Sequence, residues 1–155
     1  MSFNAKAFAA RWYASLLFPE DVPEFAADAL EAGFDGPALR RLAGLIRPTS
    51  VDIYPWIDAA LKEIGQVEPL STEAALIEVG RDVARRIVNG SLAPSDGCRI
   101  LAGYAMRAGY PAELTGFFQI DDEPLWGEYS RTQEERDSAI LAEAREFISH
   151  PGPLE

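Results

Sequence analysis

The stretch STEAALIEVGRDVARRIVNG, residues 71–90, decides the fold class. Leu76, Val79, Gly80, Val83, Ala84, Ile87 and Val88 recur at spacings of three and four, which is one face of an α-helix. Ser71 or Thr72 supplies an N-cap and Asn89-Gly90 a terminator, so the pattern has a start and a stop as well as a period. Glu78, Asp82, Arg85 and Arg86 are expected on the outer face, with Asp82 at pairing distance from both arginines.

The same signals recur on both sides. Asn4 caps a helix expected over 4–17, with Phe8, Trp12 and Leu16 four apart and Pro19 as the stop. Asp21 and Glu24 have capping-box spacing before a helix to about Ala32. Pro37 opens a helix to Ile46 whose apolar side is Leu39, Leu42, Ala43 and Ile46. The residue before a proline is pushed out of helical geometry, so 51–54 is read as extended or turned, with Pro55 opening the next helix. Ile57, Ala60, Leu61 and Ile64 then mark that helix, and Gly65 caps it. Further helices are expected over 94–107, over 112 to 118 or 120, and from a capping box at Ser130 or Thr132 to Ile148. The fold class is therefore all-α, an irregular bundle of six to eight helices. A length of 155 residues suggests a single domain, with a possible hinge over 65–70 and a frayed tail over 150–155.

Composition removes whole classes of function. The formal charge is −11, and 48% of residues are hydrophobic, too many for a disordered chain. Residues 20–35 carry six acids and no base, and residues 113–137 eight acids against two bases. Nucleic acid and anionic membranes carry the same sign and are disfavoured as partners; a basic protein is favoured. No apolar run reaches the ~18–20 residues of a membrane span. Arg11 interrupts the first apolar stretch, so no signal peptide is read, and the lone Cys98 suits a reducing cytoplasm.

Enzyme chemistry finds little purchase. There is no Gly-rich phosphate loop and no nucleophile elbow. His150 stands in the tail, where a general base would lack a fixed geometry. Cys98 has no histidine to pair with and reads as a small buried apolar residue. Asp121, Asp122, Glu123 and Glu128 are oxygen ligands in type, but their spacing is not that of a calcium loop; no metal and no cofactor is expected.

The same loop points to binding. Leu125, Trp126 and Tyr129 interleave with those acids, the composition of an interface anchor inside a polar rim. Trp126 has two readings, a surface anchor or a cap folded back over the core. Glu24, Asp28 and Glu31 form an acidic stripe at helical spacing, a second candidate surface that would steer a basic partner.

The run Val83 to Gly90 followed by Pro94 and Gly97, together with Gly116 to Glu123, resembles the small acidic helical immunity proteins that protect bacteria from toxins. The likeness covers about half the chain and carries no site residue across. It implies a non-enzymatic inhibitor that occludes a basic toxin or enzyme. The alternatives are a small helical enzyme or ligand-binding domain, with Tyr13, Trp56, Tyr104 and Tyr110 lining an inter-helical pocket, or a regulatory subunit. The sequence leaves the oligomeric state open.

Overall fold

The computed structural model describes residues 3–150; the tail residues 151–155 lie outside them. Among the described residues the fold is all-α: eight α-helices, one short 3-10 turn and no strand. The helices are α1 (Ala5–Tyr13), α2 (Val22–Glu31), α3 (Pro37–Ala43), α4 (Ser50–Glu63), α5 (Thr72–Val88), α6 (Pro94–Arg107), α7 (Ala112–Asp121) and α8 (Gln133–Ser149). The chain divides into two compact units, residues 1–71 and 72–155. The division follows directly on the short 65–70 connection.

The first unit packs α1 to α4 around Phe8, Val22, Leu39, Leu42, Ile57 and Leu61, each at most 1% exposed. Asn4 caps α1 as expected, its Oδ1 accepting from the Ala7 amide at 3.0 Å. The helix stops at Tyr13 rather than Leu17, because Ser15 takes a left-handed φ of 59°. The amides of Ser15 and Leu16 then bond back to the carbonyls of Trp12 and Arg11, a Schellman closure.

Three further expectations are corrected here. The Asp21 capping box does not form: a 3-10 turn over Pro19–Asp21 runs straight into α2, so Asp21 is already helical and lacks the extended geometry of a cap. Helix α3 ends at Ala43, and Ile46 is 88% exposed rather than part of its apolar side. Residues 51–54 are helical, not extended. Asp52 accepts from the Thr49 amide at 2.8 Å and starts α4 upstream of Pro55. Pro55 leaves the Val51 carbonyl without its helical partner, on an exposed face where water can satisfy it.

Helix α3 borrows its cap from α4. Glu63 accepts from the amides of Ala38 at 3.0 Å and Leu39 at 2.8 Å, replacing the cap that Gly36 cannot provide. A Cβ at Gly36 would push the Glu63 carboxylate out of this cap. Two charge-assisted bonds at a helix start are worth roughly 1–2 kcal/mol. Glu63→Ala is expected to lower stability by about that amount and Glu63→Gln by less, measured by guanidinium unfolding.

The second unit packs α5 to α8 around Leu101, Leu114, Phe117 and Ile140, all 0% exposed. Helix α6 keeps the bounds read from Pro94 and Arg107. Helix α8 begins at the second of its two candidate boxes: the Glu135 amide donates to Thr132 Oγ1 at 3.1 Å, and the Thr132 amide to Glu135 Oε1 at 3.2 Å. Glu78 is corrected from the outer face of α5: it is 8% exposed, with Arg81 Nε 3.9 Å from its carboxylate. Arg81, 7% exposed, ties down the end of α8 by donating to the carbonyls of Phe147 at 3.1 Å and His150 at 2.6 Å.

Candidate functional site

The loop between α7 and α8 is built by two opposing local rules. Helix α7 ends at Asp121 with Asp122 as its cap, and Pro124 prevents its continuation. Helix α8 is fixed at Thr132 by its capping box. Between them Gly127 turns the chain at φ 119°, and its carbonyl accepts from the Ser130 amide at 3.2 Å. The loop is pinned at its base: Glu123 Oε1 lies 3.4 Å from Arg131 Nη2, and the Glu123 carbonyl accepts from Arg136, itself 8% exposed, at 3.5 Å.

With the base held, the tip is left in solvent. Leu125 is 65% exposed, Trp126 82% and Tyr129 94%. Core capping by Trp126 is therefore excluded, since a cap would bury most of the indole. Asp121, Asp122 and Glu128 are exposed beside these side chains, and Glu123 is half-buried. The structure thus places Asp121 at the end of α7 and Asp122, Glu123, Trp126, Glu128 and Tyr129 on the loop that follows it in the second unit. These carboxylates do not converge: among the described residues no three potential metal ligands come together as a site. No helix among those residues is long and apolar enough to cross a membrane.

Glu24, Asp28 and Glu31 belong to the first unit. They lie exposed along α2, opposite buried Val22, Ala26 and Ala29, and have no ion-pair partner among the described residues. Asp35, at the end of that acidic segment, is neutralised by Arg40 at 2.6 Å; this hydrogen-bonded guanidinium holds its carboxyl below the ordinary value.

The isolated nucleophiles are silent. Cys98 is 1% exposed and its Sγ donates to the Phe117 carbonyl at 3.3 Å. Burial, with Asp121 nearby, pushes the thiol up from 9.0 to about 12. At pH 8 about one molecule in 10,000 carries the thiolate. Cys98 is expected to resist iodoacetamide in the native protein at pH 8 and to react readily in 6 M guanidinium. The native state holds this proton while the unfolded state releases it, so stability falls as pH rises above about 9. His150 is exposed, with Nε2 3.9 Å from a Glu146 oxygen.

The aromatic residues expected to line a pocket do not gather. Tyr13 and Trp56 pack on the core of the first unit and Tyr104 on that of the second, while Tyr110 is 51% exposed. A different pocket of about 300 Å³ opens in the first unit, lined by Trp12, Ser15, Leu17, Ser50, Ile53 and Tyr54. The available signal for it was the Thr49-to-Asp52 spacing, which starts a helix that turns Ile53 inward and leaves Tyr54 outside. Comparison of the chain with protein-family models, curated proteins and solved structures finds no match.

Proposed function

We propose that the protein is a non-enzymatic binding module for a basic protein, most concretely an immunity-type inhibitor that covers the active site of a bacterial toxin or enzyme in the cytoplasm. One observation carries this reading: Leu125, Trp126 and Tyr129 stand out of a loop whose base is fastened by Arg131 and Arg136. Large aromatics held in water on a pre-shaped loop gain most by burial in a partner and lose little entropy on binding. The neighbouring acids supply a rim that speeds encounter with a basic surface. Exposed ion pairs add only ~0–1 kcal/mol each, so the aromatics are the anchor and the charge is the guide.

The test compares wild type with a Trp126→Ala/Tyr129→Ala variant as baits in a native lysate, then measures the affinity of the retained protein. The proposal expects a basic partner, retained better at low salt, whose Kd rises at least tenfold with the variant, about 1.4 kcal/mol. It also expects that partner's activity to fall on stoichiometric addition of wild type. Equal retention by both baits, or an acidic partner indifferent to salt, counts against it.

A further inference from the structure

The pocket of the first unit is lined by two aromatic rings, three hydroxyls and aliphatic side chains, and among the described residues by no charged group. Trp12 and Tyr54 meet edge to face, with centroids 5.4 Å apart and an interplanar angle of 68°, so they form two walls of a corner. Ile53 and Leu17 contribute apolar surface, and Ser15 and Ser50 bring hydroxyls to the lining. The indole N–H of Trp12 and the hydroxyls of Ser15, Ser50 and Tyr54 make no hydrogen bond to another described residue. None of the four is a buried orphan; that condition is met only by Ser130 Oγ among the described side chains. They are therefore open to a ligand.

Helices α2, α4, α5 and α6 each hand over to a glycine with φ between 80° and 104°, the residue for which that conformation is free. Helix α1 hands over to Ser15 at φ 59°. Arg47 and Tyr110 also take a positive φ, outside the lining of this pocket, so Ser15 is marked by its place in the lining rather than by its backbone. What serine adds there over glycine is a hydroxyl in the lining.

We infer that this pocket, between the end of α1 and the start of α4, binds a small uncharged planar aromatic molecule carrying a hydrogen-bonding group. The rings supply stacking and edge contacts for a flat apolar body. The hydroxyls donate and accept, and the indole N–H only donates. A charged ligand would give up water without an opposite charge to meet it. The volume sits at the lower end of the roughly 300–1,000 Å³ of ligand pockets, which sets the ligand's size. This site is independent of the aromatic loop of the second unit.

The test is a titration of the ¹⁵N-labelled full chain with indole, followed by NMR, with tryptamine as the cationic and indole-3-acetate as the anionic comparator. Saturable shifts of the Trp12 indole N–H and of the Ser15 and Ser50 amides are expected, with the neutral probe binding tightest. Tyr54→Ala removes one wall; Tyr54 is 60% exposed, so the core stays intact. Ser50→Trp fills the space from an exposed position instead. Each is expected to weaken indole at least tenfold. Absence of saturable shifts, shifts confined to other residues, unchanged affinity in both variants, or tighter binding of a charged comparator overturns the assignment.

Discussion

Phe117→Ala is expected to remove about 3–5 kcal/mol of stability, the range for deleting a fully buried phenylalanine. Phe117 is 0% exposed and meets the Phe147 ring edge-on at 5.9 Å. Its loss leaves a cavity in the core of the second unit, beside the Phe147 ring. A small domain holds only about 5–15 kcal/mol in total, so much of the second unit's stability would go. Guanidinium unfolding should show a midpoint displaced well below that of wild type, whereas a change under about 1 kcal/mol would mean that Phe117 is not the centre of this core.

Gly97→Leu is expected to be comparably severe, about 3 kcal/mol or more, for the opposite reason. Helix α6 approaches α5 so closely at Gly97 that even a Cβ would overlap the Ile87 side chain, with the Leu92 Cδ2 at 3.2 Å. Ile87 is itself buried, at 2% exposed, so it must repack within the core to make room. Gly97→Ala should cost less than Gly97→Leu, and the paired Ile87→Ala change should recover part of the Gly97→Ala loss. Double-mutant unfolding measures this coupling, and strict additivity would show that the two residues do not compete for one space.

Much of the fold is legible in sequence because its punctuation is local. Helix α6 was bounded by Pro94 and by Gly109 after Arg107, and α8 by the Thr132–Glu135 box; both signals act within one turn. The structure departs from these local signals where one local rule overrides another. Pro55 argued against helix at 51–54, but the Thr49–Asp52 cap had already started one and the proline was absorbed on its exposed side. Helix α1 looked longer than it is because its stop is a serine in a conformation that glycine usually signals.

The candidate loop was legible in composition and illegible in orientation. Acids interleaved with Leu125, Trp126 and Tyr129 could be read directly. Which way Trp126 turns depends on contacts from Arg131 and Arg136, which lie in the next helix and its approach, and no periodicity encodes them. The pocket is illegible in the sequence for a related reason. Its walls come from Trp12 and Tyr54, 42 positions apart in sequence, and only folding brings them to 5.4 Å.

On the proposed reading, Trp126 and Tyr129 stand exposed to meet a partner and contribute little to the fold. The most direct measurement is the guanidinium unfolding free energy of Trp126→Ala/Tyr129→Ala beside wild type, with the partner Kd measured on the same two preparations. Stability within about 0.5 kcal/mol of wild type, together with at least a tenfold weaker partner complex, is the predicted result. A loss of about 2 kcal/mol or more in stability, or an unchanged Kd, would contradict it.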